Sequence, residues 1–174
     1  MALNSTRKFF YSIYLLFFLL FFGFFGCDKK ANTNREAPDF TLADLSGSSI
    51  SLHEFRGSPV LLDFWATWCP PCRRSIPELV ELQRKYRDRG LVILGISLDD
   101  PSQINNQYLS AFKEQAKINY PIMRATQKVV QDYFGDSPIS IPTLFTINRK
   151  GRIVDVFVGF RPGAVEDSLK KIIE

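Results

Sequence analysis

The chain has 174 residues, of which 45% are hydrophobic and 23% are charged, and its formal net charge is +4. This length and apolar content suffice for one globular domain with a buried core. The small net charge gives no support for a nucleic-acid partner, and we expect none.

The N-terminus reads as an export signal. Arg7 and Lys8 precede a phenylalanine-rich apolar run from Phe9 to Phe25, which ends at Gly26-Cys27. This pattern resembles a bacterial lipoprotein signal, in which Cys27 is lipidated and becomes the first mature residue. The alternative is an uncleaved signal anchor, for which the run has the minimum length that spans a bilayer. Either reading places the remaining chain on the extracytoplasmic face of a bacterial membrane, on the periplasmic side.

We therefore predict three segments. Residues 1–27 form the lipoprotein signal or signal anchor, the polar residues 28–36 form a flexible tether, and residues 37–174 form the folded domain. If Cys27 is lipidated, the exported domain keeps only two thiols, Cys69 and Cys72. No third thiol is then present to pair wrongly in an oxidising compartment.

Within the domain the apolar pattern predicts alternating strands and helices. The runs at 59–66 and 91–97 are continuously apolar, as in strands buried on both faces of a sheet. Asp100-Pro101 offers an N-cap and a first helical residue for a helix that reaches Lys117. The predicted strands are 39–42, 49–52, 59–66, 91–97, 120–123, 143–147 and 152–158, and the predicted helices are 70–87, 100–117, 126–134 and 162–173.

The most informative motif is Trp68-Cys69-Pro70-Pro71-Cys72, at the junction of a predicted strand and helix. The free N–H groups and the dipole at a helix start favour an anion, so Cys69 should ionise more readily than an ordinary thiol. Cys72 lies one helical turn further on, where it can attack a mixed disulfide formed by Cys69. We predict that Cys69 is the nucleophile and Cys72 the resolving thiol.

Other readings of the two cysteines are weaker. A zinc site needs about four ligands, and the chain has one other Cys and one His, so we expect no metal. Covalent haem attachment needs His after the second Cys, where this chain has Arg73. A purely structural disulfide would close almost no loop. A peroxiredoxin-type peroxidase is not favoured, because that family has Pro and Thr or Ser where this chain has Leu62 and Ala66.

The segment from Asp63 to Cys72 resembles the active site of the thioredoxin superfamily, and Ser140-Ile141-Pro142-Thr143 resembles its cis-proline loop. The opening Ala37-Pro38-Asp39-Phe40 and the long stretch before Pro121 narrow the resemblance to the TlpA/ResA branch of membrane-tethered thiol-disulfide oxidoreductases. It implies an α/β thioredoxin-like fold: a central mixed sheet flanked by helices, an N-terminal β-hairpin and a central αβ insertion. Many members of that branch have Asn where this chain has Asp63.

The resemblance also implies roles for further residues. Asp63 resembles the buried acid that takes the proton from the resolving thiol, and burial would raise its pKa toward a useful value. A cis-Pro142 would place the backbone of Ile141 beside the sulfurs, where a substrate strand can pair. Trp68, Pro70 and Pro71 would line the substrate surface. The only cofactor expected is the redox-active Cys69–Cys72 disulfide itself.

The direction of electron flow depends on how well the Cys69 thiolate is stabilised. Pro70 and Pro71 lack N–H groups, which removes two donors to the sulfur and favours a reductase. The resemblance implies the same direction, with exported proteins such as apocytochrome c as substrates and a membrane thiol-transporting reductase as electron donor. A disulfide oxidase or isomerase, and a non-catalytic binding module, remain the alternatives.

Overall fold

The computed structural model describes residues 34–173. The strands are β1 (Thr41–Ala43), β2 (Ser49–Ser51), β3 (Val60–Trp65), β4 (Val92–Ser97), β5 (Ile122–Arg124), β6 (Thr143–Ile147) and β7 (Ile153–Val158). The α-helices are α1 (Pro70–Tyr86), α2 (Asn106–Gln115), α3 (Gln127–Phe134) and α4 (Ala164–Ile173), and short 3-10 helices lie at Leu52–Phe55 and Arg87–Arg89. Over this part of the chain, no helix has the length and apolarity needed to cross a membrane.

The strands form a two-stranded hairpin and a five-stranded mixed sheet. Strands β1 and β2 pair antiparallel, and the larger sheet has the order β5-β4-β3-β6-β7. Strands β3, β4 and β5 run parallel, whereas β6 and β7 run antiparallel to their neighbours. The predicted mixed sheet with an N-terminal hairpin is confirmed, and α2 with β5 forms the predicted central insertion.

Strand β3 lies at the centre of the sheet and is buried along its whole length, because both of its faces are covered. On one face, Leu61 and Trp65 pack in a core cluster with residues of α1, α2 and α4. On the other face, Leu62 and Phe64 pack against α3 and the hairpin. The period-2 alternation of a strand therefore sends odd-numbered β3 side chains into the first cluster and even-numbered ones into the second.

The second cluster is largely aromatic. The ring of Phe64 lies 5.1–5.6 Å from those of Tyr133, Phe134 and Phe145, in edge-on or tilted arrangements. Such pairs add to the free energy gained by burying the rings alone. This packing holds the centre of β3 firmly, and β3 delivers the segment that carries the two cysteines.

The predicted start of helix α2 is wrong. Asp100 caps no helix; its Oδ1 accepts hydrogen bonds from the N–H and the hydroxyl of Ser102, each 2.8 Å long, which close a local turn. The cap is Asn105, whose Oδ1 accepts a 2.9 Å hydrogen bond from the N–H of Tyr108. Both residues have the chemistry of an N-cap, so residue type alone does not distinguish them.

Residues 28–36 were predicted to form a flexible tether, but the last three of them, residues 34–36, are hydrogen-bonded to the folded domain. The N–H of Asn34 donates to the carbonyl of Ile153, and the N–H of Ile153 donates to the carbonyl of Arg35. Glu36 forms a bridge with Arg152, so this segment pairs with the start of β7. Residues 28–33, the signal segment 1–27 and Cys27 lie outside the described residues.

Candidate functional site

The two cysteines lie where the central strand gives way to a helix. Strand β3 ends at Trp65, and α1 begins at Pro70 with Cys69 as its N-cap. Cys69 and Cys72 form a disulfide with an S–S distance of 2.00 Å and a Cα–Cα distance of 5.3 Å. The N–H of Cys72 donates to Cys69 Sγ over 3.2 Å. Cys69 is 3% exposed and Cys72 fully buried, so only Cys69 reaches the surface.

The cis-proline loop lies against the sulfur of Cys69. The Ile141–Pro142 peptide bond is cis, and the loop leads directly into β6. The carbonyl oxygen of Ile141 lies 3.7 Å from Cys69 Sγ. The hydroxyl of Thr143 donates to the carbonyl of Ser140 and closes the loop. Two motifs that lie 72 residues apart in the chain therefore meet at the disulfide.

The rim around Cys69 is apolar and open. Trp68 is 64% exposed, Pro70 is exposed and Pro71 is half-buried. Trp65 differs from its neighbour Trp68, because it is buried and its ring centre lies 5.4 Å from that of Phe112 in α2. An exposed tryptophan beside a reactive sulfur offers a large apolar contact to a partner that brings its own disulfide there.

Asp63 lies in the middle of β3, opposite Gly95 of β4 and Leu144 of β6. Its carboxyl group is fully buried, and neither oxygen has a hydrogen-bond partner among the described residues. Desolvation by burial raises the pKa of Asp63 from 3.8 to about 7. Burial has this effect because the apolar surroundings disfavour the charged form.

The side chain of Asp63 faces the cluster that contains the disulfide. Asp63 is an odd-numbered residue of β3, as are Leu61 and Trp65, which pack in the same cluster as Cys72. Tyr120 belongs to this cluster too, and its pKa is raised by burial and by the charge of Asp63. The structure therefore brings Asp63 to the side of the sheet that carries both sulfurs.

Two exposed arginines follow Cys72 at the start of α1. Arg73 and Arg74 are exposed in the first turn of α1, and the guanidinium of Arg73 lies 5.9 Å from the ring centre of Phe112. Exposed side chains of this kind are screened by solvent and salt.

Among residues 34–173, no group of three or more Cys, His, Asp or Glu side chains is arranged to hold a metal ion.

One acidic residue near the site had no role in the sequence analysis. Asp99 is 4% exposed and lies just after β4, where its carboxylate accepts hydrogen bonds from Thr67 in the loop before Cys69. The sequence feature that could have indicated a role for Asp99 is its place two residues after the apolar run that ends at Ser97. Acids are rarely buried without a partner, but the sequence does not name that partner.

The sequence matches the AhpC/TSA family over residues 33–156. It is 34% identical over 157 residues to the thiol-disulfide oxidoreductase ResA of Bacillus thuringiensis, covering 89% of this chain and 87% of that protein. It is 36% identical over 125 residues to the thioredoxin-like protein YneN of Bacillus subtilis, covering 72% and 71%. A crystal structure of a putative thiol:disulfide interchange protein DsbE from Chlorobium tepidum superposes with a TM-score of 0.72 at 30% identity, covering 82% of this chain and 99% of that one.

A thioredoxin-like fold with a Cys-x-x-Cys disulfide at the end of its central strand defines a thiol-disulfide oxidoreductase. The chain belongs to the AhpC/TSA family. The predicted resemblance to ResA-like proteins and the predicted class of enzyme are both confirmed.

We predict that Asp63→Asn stabilises the oxidised protein, and does so more as the pH rises. The folded protein holds a proton on Asp63 up to about pH 7, whereas the unfolded chain loses it near 3.8. The wild type therefore loses stability across this window, by up to about 4 kcal/mol, because one pKa unit corresponds to about 1.4 kcal/mol. The variant, which has no charge there, should keep its stability.

Urea unfolding of both proteins from pH 4 to pH 9 measures this difference. The matched control is Asp100→Asn, an exposed carboxylate whose pKa is lowered by its hydrogen bonds to Ser102. That control should show no gain in stability at high pH. A difference between Asp63→Asn and wild type that does not change with pH would contradict the prediction.

Proposed function

We propose that this chain reduces disulfides in exported proteins while tethered to the outer side of a bacterial membrane. The observation that carries the proposal is the poor supply of donors around Cys69 Sγ. Among the described residues, Cys72 N is its only hydrogen-bond donor. Pro70 and Pro71 occupy the intervening positions and have no N–H to offer. A thiolate with little stabilisation gives up its electrons readily, which suits a reductase.

The proposed reaction is a pair of thiol-disulfide exchanges. The Cys69 thiolate attacks one sulfur of the substrate disulfide, a mixed disulfide forms, and the first substrate sulfur leaves as a thiolate. The Cys72 thiolate then attacks Cys69 Sγ, which closes the 2.00 Å disulfide and releases the second substrate sulfur. The substrate gains two electrons and two protons and becomes a dithiol, and the enzyme becomes oxidised.

Asp63 is proposed to take the proton from Cys72 in the second step. Cys72 is fully buried, so no bulk water reaches its sulfur directly. The pKa of Asp63, about 7, lets its carboxyl group accept and return a proton near neutral pH. Its charge also disfavours a thiolate nearby, which adds to the tendency to become oxidised.

The substrate is proposed to bind across the rim formed by Trp68, Pro70, Pro71, Ile141 and Pro142. The exposed Trp68 supplies apolar contact area, and the backbone of Ile141 can pair with an extended segment beside Cys69 Sγ, which lies 3.7 Å from its carbonyl oxygen. Recognition through backbone and apolar contact accepts many sequences. This surface therefore suits a set of exported proteins, apocytochrome c among them, as the resemblance to the TlpA/ResA branch implies.

The location is proposed from the N-terminal sequence. The basic start, the apolar run and Gly26-Cys27 support export and anchoring, through lipid on Cys27 or through an uncleaved segment. A reductase in an oxidising compartment needs a supply of electrons, so the proposed donor is a membrane thiol-transporting reductase. The anchor would keep the dithiol close to that donor.

We expect the domain to reduce insulin disulfides with dithiothreitol as electron source. Cys69→Ser should abolish this activity, because it removes the sulfur that reaches the surface. Cys72→Ser should accumulate mixed disulfides with the substrate, because nothing resolves them. Non-reducing gels and mass spectrometry measure the trapped species, with the double Cys69→Ser/Cys72→Ser variant as control. Trapping by Cys69→Ser alone would reverse the two roles.

We expect the Cys69/Cys72 potential to lie closer to that of thioredoxin, about −270 mV, than to that of DsbA, about −120 mV. Pro70→Gly should lower the Cys69 pKa and raise the potential, because it restores one backbone donor near the sulfur. Redox titration against glutathione and dithiothreitol buffers measures both proteins. A wild-type potential above about −180 mV, the value of protein disulfide isomerase, would make the chain an oxidant.

We expect radioactive palmitate to label Cys27 in a bacterial host. Globomycin, which blocks lipoprotein signal cleavage, should prevent maturation, and Cys27→Ala should lose the label. Cys69→Ala is the matched control, because it removes a different cysteine and should keep the label. Unlabelled protein that still fractionates with membranes would indicate an uncleaved signal anchor instead.

A further inference from the structure

Asp99 is joined to the loop that carries Cys69 by a dense set of hydrogen bonds. The N–H of Thr67 donates to both carboxylate oxygens of Asp99, over 3.2 and 3.1 Å, and the hydroxyl of Thr67 donates to Oδ1 over 2.7 Å. All these groups are buried, since Thr67 is 6% exposed and Asp99 4%. Hydrogen bonds to a buried carboxylate are among the stronger ones in proteins.

Asp99 is itself held on its other side. The hydroxyl of Ser97 donates to Oδ2 over 2.9 Å, and the N–H of Asp99 donates back to Ser97 Oγ over 3.1 Å. The guanidinium of Arg124, from β5, donates to the carbonyl of Asp99 over 3.1 Å. Asp99 is therefore fixed to the end of β4 through its carboxylate and to β5 through its backbone carbonyl, and its carboxylate holds Thr67 in turn.

Thr67, which Asp99 holds in place, lies close to the nucleophile Cys69. Thr67 precedes Cys69 by two residues, so their Cα atoms are at most about 7 Å apart. The N–H of Cys69 donates to the carbonyl of Ala66 over 3.2 Å, which folds the loop back on itself. Cys69 and Cys72 both pack in the core cluster, and Cys72 is also held within α1. Cys69 is the N-cap at the start of that helix, so the loop of residues 66–68 contributes to its position relative to Cys72.

We propose that Asp99 is a positioning residue that keeps the potential of the Cys69/Cys72 pair low. This inference rests on the proposed function of that pair. Closing the disulfide transfers two electrons and two protons to the substrate disulfide, and closure is more favourable when the two sulfurs are held in place beforehand. The charge of Asp99 acts in the same direction, because a nearby negative charge disfavours the Cys69 thiolate.

Two substitutions test this role by redox titration against glutathione. Asp99→Asn removes the charge and weakens the hydrogen bonds to Thr67. Thr67→Val removes the hydroxyl donor and leaves the charge. Each should shift the equilibrium about tenfold toward the dithiol, which corresponds to a potential about 30 mV higher. Thr67→Ser keeps the hydroxyl donor, so this variant should have the wild-type potential.

The matched control is Asp100→Asn. Asp100 is the next residue and also a carboxylate, but it is exposed, and among residues 34–173 its carboxylate bonds only to Ser102 in its own turn. Its substitution should leave the equilibrium with glutathione at its wild-type value, because exposed charges are screened. The melting temperature and the absorbance titration of the Cys69 thiolate are recorded for every variant. Asp99→Asn should lower the Cys69 pKa as well as the melting temperature.

A purely structural Asp99 would give a different result. The melting temperature would fall in Asp99→Asn and Thr67→Val, while the potential and the Cys69 pKa stayed at their wild-type values, and this would overturn the proposal. If Asp99→Asn does not fold, the Thr67→Val and Thr67→Ser pair decides the question alone. A high wild-type potential would count against the proposed reductase, whereas the role of Asp99 is judged on differences between variant and wild type.

Discussion

Strand β3 has a strand on each side and a core cluster on each face, so neither its register nor its direction can change without unpacking the domain. The chemistry depends on this constraint. Cys69 follows β3 after a loop of three residues, Ala66–Trp68, and starts α1, and Cys72 lies one turn further along that helix. The cis-proline loop reaches the same end of the sheet because β6 runs antiparallel to β3. A rigid strand thus positions a reactive sulfur at the surface.

The surroundings of that sulfur oppose the effect of the helix start. A helix N-terminus normally stabilises a thiolate through its free N–H groups and dipole. Here the first two helical residues are prolines, so a single N–H, that of Cys72, reaches the sulfur of Cys69 among the described residues. Asp63 lies in the middle of β3 and Asp99 just after β4, and a negative charge on a nearby carboxyl group also disfavours a thiolate. The exposed arginines of α1 act the other way but are screened.

The local parts of the site could be predicted from the sequence, and the long-range parts could not. The Cys pair, the burial of β3 and the cis-proline loop follow from short motifs and apolar runs. The start of α2 was predicted at Asp100 instead of Asn105, because both residues cap well and only their hydrogen bonds separate them. The hydrogen bond between Thr67 and Asp99 joins residues that lie 32 positions apart in the sequence. It forms only because β3 and β4 run side by side in the sheet.

Asp63 and Asp99 are both buried, but their surroundings give the two carboxyl groups different properties. Asp63 has no hydrogen-bond partner among the described residues, so burial raises its pKa to about 7, and a proton can bind and leave near neutral pH. Asp99 accepts donors from Thr67 and Ser97 on both of its oxygens. These hydrogen bonds fix the position of the carboxylate. Asp63 is therefore suited to exchange a proton, whereas Asp99 is suited to hold the loop while that proton moves.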